Sequence, residues 1–238
     1  MCEGNTDKEK NPLFAVSTFQ KDKISPEQIS LLVDASTNPI QIGIPNSNGW
    51  ETLVRCEDQA LEGLFSATEK VLEQSKIMIS QVDQIFYCEG PGSTLGLRLA
   101  AAFIRTLQWS HPKQGLKVFS FNALDLAAIL APIENAVIQA PFRIGFRFVR
   151  IPDEGSFVSE KKILPEEEAL ADYQDSYHLP DVRKRSKEVN PKKTLVYDLS
   201  NIRGLYDLGS VSKPCSVIVP YNPRAPQFKK WSPRSFEK

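Results

Sequence analysis

Between Gln84 and Trp109 the chain reads QIFYCEGPGSTLGLRLAAAFIRTLQW, an apolar run, a glycine-proline-glycine turn and an alanine-rich helical stretch in direct succession. A strand that passes into a helix through so few residues forms a βα unit, and such units commit a chain to layered α/β architecture. Gly90 and Gly92 permit backbone conformations and close approaches that other residues resist, and Ser93 or Thr94 is suited to accept from the first helical N–H groups. Those N–H groups also suit an anion. A phosphate loop of the GxxxxGK[ST] type is excluded, because Gly90 to Gly96 leads into Leu97 and Arg98 with no lysine. A structural hinge and an anion site of another kind both stay open at this point.

The neighbouring segments extend the unit. "ISLLVDAST", "PIQIGIP" and "WETLVR" read as three strands joined by short turns. Asp58 to Lys76 sets Leu61, Leu64, Phe65, Thr68, Val71 and Leu72 at helical steps. After the strand "VDQIFYC" and the helix from Leu95 to Trp109 come a strand, "LKVFSF", and a helix, "ALDLAAILA", stopped by Pro132. The order βββαβαβα is that of the ribonuclease H-like superfamily, to which the actin-like ATPase (ASKHA) lobes belong. Residues 29–132 are expected to form this first lobe and residues 133–238 a smaller, degenerate second lobe. There "NAVIQAPF", "GFRFVRIP", "TLVYDL" and "CSVIVPY" read as strands and "PEEEALADYQ" as a short helix. Residues 1–28 read as an arm outside the core, either a frayed strand or a disordered segment.

Lys plus Arg and Asp plus Glu balance at 29 each, so no global charge draws the chain to nucleic acid or to a membrane. Cys2, Cys56, Cys88 and Cys215 are scattered without a CxxC pair, which suits free thiols in a reducing compartment. No apolar run approaches the roughly 18 residues that span a bilayer. A cytoplasmic location without membrane contact is the expectation.

The segment EGPGSTLGLRLAAAFIRTL resembles the GPGSFTGLRIG signature of the bacterial TsaB (YeaZ) family, glycoprotease-like proteins of tRNA threonylcarbamoyladenosine biosynthesis. Gly90, Pro91, Gly92, Ser93, Gly96, Leu97 and Arg98 match, while the phenylalanine after the serine is missing. "LLVDAST" resembles the family's opening strand, with Asp34 at its aspartate. "FRIGFRFVR" is similar to an R-x-G-E-V-Y strand at Arg143 and Gly145, without the acidic residue. "VPYNPRAPQFKKW" is similar to the C-terminal P-x-Y-x-R segment at Pro220, Tyr221 and Lys229, with Arg224 displaced by one. The resemblance implies a divergent member with an actin-like, two-lobed fold and a degenerate nucleotide site. It also implies a scaffold role in t6A37 synthesis beside a TsaD-like catalytic subunit, within a larger assembly that includes a TsaE-like ATPase and reaches tRNA indirectly.

Sharper chemistry finds little footing. A two-metal nuclease would draw on Asp34, Glu62 or Glu69, and Glu89, which fall on suitable elements, so a metal-dependent hydrolase using Asp34 is the rival reading. Asp34 reads first as a turn-former. The first loop of an actin-like ATPase is "DASTNPI" here, without glycine, and the second, "IQAPFRIG", carries neither Asp nor a hydroxyl. His111 and His178 are far apart and form no HxxxH pair; His111 reads as the end of the second helix and His178 as a loop residue. Cys88 reads as a buried, inert strand thiol. No catalytic residue, cofactor or metal is assigned.

A partner surface is assigned instead to the second helix. Arg98, Arg105 and Trp109 lie on one stripe with Ala101 and Ala102 beside it, while Leu99, Phe103 and Leu107 are expected to fill the core; Phe65 and Leu72 on the first helix could extend the contact but read first as core. "VRKRSKEVNPKK" reads as a solvated loop, and the tail "PQFKKWSPR" offers an aromatic contact among basic residues.

Overall fold

The computed structural model describes residues 24–111, 115–153, 156–181 and 189–220. Most of the proposed arm, most of the basic run, and the tail from Tyr221 onward with Arg224 and Lys229 therefore lie outside the described residues.

The strand β1 (Ser30–Asp34) is apolar on both faces, as the middle of a covered sheet requires. It pairs antiparallel with β2 (Ile40–Asn46), which turns into β3 (Gly49–Cys56), and parallel with β4 (Gln84–Gly90) on its other side. The helix α1 (Ala60–Ser75) links β3 to β4, and α2 (Thr94–Ser110) links β4 to β5 (Lys117–Asn122), which pairs parallel with β4. The helix α3 (Ala123–Leu130) follows at once, with Asn122 Oδ1 accepting from the Leu124 N–H as its cap. The βββαβαβα order expected from the sequence is thus present.

Period-two alternation divides the interior into two cores. Leu31 and Val33 of β1, with Ile42, Ile85 and Tyr87, face Leu64, Ala67 and Val71 of α1 and Ala100 and Ile104 of α2. Leu32, Phe86, Phe119 and Phe121 face the other way, onto α3 and the chain beyond it. The Phe86 and Phe119 rings stack there at 5.2 Å.

The second sheet has the order β8-β7-β6-β9, built from β6 (Ile138–Arg143), β7 (Phe146–Asp153), β8 (Ser156–Pro165) and β9 (Tyr177–His178), with α4 (Glu166–Asp172) before β9. It carries buried ion pairs, Arg147 to Glu166 at 2.9 Å and Arg150 to Asp125 at 3.1 Å, with Lys161 reaching Asp125 at 2.7 Å. His178 is a buried strand residue, not a loop residue. Arg147 only donates, so His178 Nδ1 accepts from it at 3.3 Å and the ring proton sits on Nε2, towards Ser176 Oγ. Burial, then Arg147, then Lys193 push the ring's pKa down to about 4.

The last described elements return to the first sheet. The helix α5 (Gly204–Val211) and β10 (Ser212–Pro214) follow, and β10 pairs antiparallel with β5 at the sheet edge. Neither "TLVYDL" nor the described part of "CSVIVPY" is a strand. Ile24, from the segment read as an arm, packs against the second core.

Candidate functional site: a sealed cleft and an open helical face

The β4–α2 turn settles into the β1–β2 turn. Ser93 donates its N–H to the Ser36 carbonyl at 2.6 Å, and its Oγ accepts from the Gly96 N–H at 3.3 Å as the helix cap. A Cβ on Gly92 would run into the Ser36 carbonyl, and one on Gly96 into the Ala35 carbonyl, so both glycines are required by contact. Here the loop is a hinge packed on its neighbour. The N–H groups of Ser93 and Gly96, which an anion would use, are already taken.

Asp34 ends β1 beneath this turn and is fully buried. Its Oδ1 accepts from the Ser36 N–H at 2.8 Å, the turn-forming contact expected from sequence, and its Oδ2 accepts from the Tyr197 hydroxyl at 2.8 Å. Burial raises its pKa against the pull of those bonds. Cys88 is buried alongside, and burial followed by the Asp34 charge pushes its thiol well up, which suits an inert thiol. The other carboxylates of the rival nuclease reading do not join Asp34. Glu62 and Glu69 are exposed on α1, and Glu89 bonds Lys213 at 3.2 Å. Among the described residues no group of three or more His, Cys, Asp or Glu is placed to hold a metal ion.

Tyr197 belongs to the segment that the sequence presented as the strand "TLVYDL". Leu195, Tyr197 and Leu199 point inward and Val196 outward, so the period of two is real. The hydrogen-bonding ladder is replaced by side chains. Gln41 Nε2 donates to the Tyr197 carbonyl, Gln41 Oε1 accepts from the Leu199 N–H, and Trp50 Nε1 donates to the Leu199 carbonyl. Gln41, Trp50 and Tyr197 were not singled out from sequence; the alternation at 195, 197 and 199 was their one visible signal.

The far side of the sheet is open. Leu97, Ala100, Ala101 and Ile104 make the core face of α2, which corrects two expectations. Ala101 is buried and does not belong to an exposed stripe, and Leu99, Phe103 and Leu107 are only half-buried because small residues let α2 sit closer to the sheet on another face. Phe103 and Leu107 line a groove with Phe65, Thr68, Glu69, Leu72, Glu73 and Ile79. Phe65, expected in the core, is 54% exposed and meets Phe103 edge to face at 5.6 Å. Arg98, Ala102 and Arg105 are exposed as expected, and Trp109 is 80% exposed with the Arg105 guanidinium 5.8 Å from its ring centroid. His111 is the C-cap residue of α2. Of the remaining family-motif positions, Gly90 and Pro91 form the turn with a cis peptide between them, and Pro220 closes the described chain.

Residues 56–142, from the end of β3 to β6, match the family model for TsaD, tRNA N6-adenosine threonylcarbamoyltransferase. Two solved structures share the fold. YeaZ from Pseudomonas aeruginosa superposes with a TM-score of 0.52 at 18% identity, over 76% of this chain and 88% of that one. A protein with similarity to peptidase YEAZ, also from Pseudomonas aeruginosa, gives 0.53 at 17% identity over the same shares. No curated protein matches the chain by sequence. The α/β fold expected from the sequence, with its βββαβαβα order, is therefore one shared with the YeaZ structures.

Proposed function

We propose that this TsaB-like chain is a non-catalytic scaffold subunit of tRNA threonylcarbamoyladenosine (t6A37) biosynthesis, stabilising a TsaD-like catalytic partner. The observation that carries the reading is the contrast between a covered Asp34 and an uncovered α1–α2 face. A carboxylate with both oxygens engaged and no second acidic group beside it is poorly placed for hydrolysis. An exposed aromatic groove lined by Phe65 and Phe103, on a helix that also exposes Arg98, Arg105 and Trp109 at another part of its surface, has the composition of a protein contact. Binding energy gained there would shift the partner towards its competent conformation, with no chemistry on this chain. A TsaE-like ATPase and tRNA would then be met through the partner, in the cytoplasm. The division into a first lobe of residues 29–132 and a second of 133–238 belongs to the same proposal.

Co-purification of the tagged full chain from its native cells, with mass spectrometry, tests the partner. Arg98→Glu and Ala102→Trp alter exposed positions on α2, so both variants should fold normally and retain at least tenfold less of a TsaD-like protein. Normal retention by both would sink the interface assignment. Recovery of no such protein under conditions that preserve weak complexes would sink the scaffold reading.

A further inference from the structure

Residues 194–199 span between the two sheets without belonging to either. At one end Thr194 bridges His178 of β9, and the Leu195 N–H donates to the His178 carbonyl at 2.8 Å. At the other end the hydrogen bonds and the ion pair to the first sheet run through side chains. The Tyr197 hydroxyl donates to Asp34 of β1, Gln41 of β2 makes two bonds to the segment's backbone, Trp50 of β3 donates to the Leu199 carbonyl at 2.7 Å, and Arg55 of β3 meets Asp198 at 2.7 Å. The next turn wedges the same edge. Gly204 has φ +45° and sits where a Cβ would strike the Gly49 and Asn46 carbonyls of the β2–β3 turn.

We infer that residues 194–199 form a clasp, a unit that closes as one piece over the end of β1 and holds the second sheet against the first. A strand in a ladder shares backbone bonds with its neighbours and opens with them. This segment has an extended, alternating backbone that seats Leu195, Tyr197 and Leu199 in the core, but its polar ties to the first sheet are donors and acceptors at the tips of Tyr197, Gln41 and Trp50, so it can part from the sheet as one piece while the β1–β2 ladder stays intact. Tyr197 is the group that covers Asp34 Oδ2, so release of the clasp uncovers the carboxylate and the turn between Asp34 and Pro39. The clasp thereby governs access to Asp34 and to this turn.

The test is amide hydrogen exchange on the full chain, with one anchor removed at a time. Tyr197→Phe deletes the hydroxyl at the β1 end, and Trp50→Phe deletes the donor at the β3 end; both keep an aromatic ring in the core. Each should raise exchange of the Leu195, Asp198 and Leu199 amides together, by about tenfold, the worth of one hydrogen bond. The Leu32, Val33 and Ile104 amides should not change. If the two variants release different amides, the segment is no unit. If the β1 and α2 amides rise by the same factor, the segment is ordinary core that opens only on global unfolding. Either result overturns the clasp.

Discussion

The two ends of α2 are built in opposite ways. At the N-terminal end Gly92, Ser93 and Gly96 are pressed into the β1–β2 turn, with Asp34 fully buried beneath them. At the C-terminal end Phe103 and Leu107 are half-buried in a groove and Trp109 stands out, with Arg105 near its ring. One helix therefore spends its first turn on the fold and leaves its last turns for something else. With Asp34 covered at one end, the exposed end is where binding has to be sought.

The largest effect expected separates those ends by stability. Gly96→Ala places a methyl group against the Ala35 carbonyl, backbone that cannot rotate away, and should cost more than about 3 kcal/mol. Trp109→Ala removes a much larger side chain from the exposed end and should change unfolding free energy by less than about 0.5 kcal/mol. Urea denaturation of the two variants beside the wild type checks the pair. A mild Gly96→Ala with a destabilised Trp109→Ala would reverse the comparison, because it would mean that the solvent-facing end is the one the fold depends on.

Much of the sealed end was legible in the sequence, and little of the open end was. The GPGS turn, Asp34 and the βββαβαβα order are written in local spacing, and each is where spacing put it. The groove is not written locally. Leu99, Phe103, Leu107, Phe65 and Leu72 have the hydrophobicity of core residues, and only the closeness with which Ala100, Ala101 and Gly96 let α2 approach the sheet decides that another face is buried. The clasp failed for a related reason. Alternation at 195, 197 and 199 predicts an extended chain correctly, but whether that chain meets backbone or the ends of Gln41 and Trp50 depends on residues some 150 positions away. The helix α5 and strand β8 were missed outright: α5 carries Gly204 and Gly209 in eight residues, and β8 mixes lysines among its apolar residues.

Acid sharpens the comparison, since groups shut away from solvent titrate abnormally. His178 is held neutral in the fold with a pKa of about 4, below its ordinary 6.5. The unfolded chain then binds the proton first on acidification. The histidine's contribution to stability is full above pH 6.5 and is lost as the pH falls towards 4, up to about 3 kcal/mol for the whole interval. Replacing it by Asn should flatten that part of the profile, measured by denaturant unfolding at successive pH values. An unchanged acid limb in His178→Asn would show that the ring is already in contact with solvent.

Asp34 is expected to act in the opposite direction and by less. Burial raises its pKa, so here the folded chain binds the proton first, and stability tied to this group is present at low pH and lost as pH rises through the raised value. At neutral pH the buried charge is a cost only partly offset by the Ser36 N–H and the Tyr197 hydroxyl. Asn at this position keeps both contacts, since its carbonyl accepts from Ser36 and its amide donates to the tyrosine oxygen, while the charge is gone. Asp34→Asn should therefore unfold at slightly higher denaturant than wild type at pH 7, with the advantage shrinking on acidification. A catalytic or metal-holding carboxylate would give the same stability but would lose an activity, and a carboxylate open to solvent would give no pH-dependent difference at all. The sign and the pH trend of this small change thus report directly on whether the cleft end of α2 is sealed.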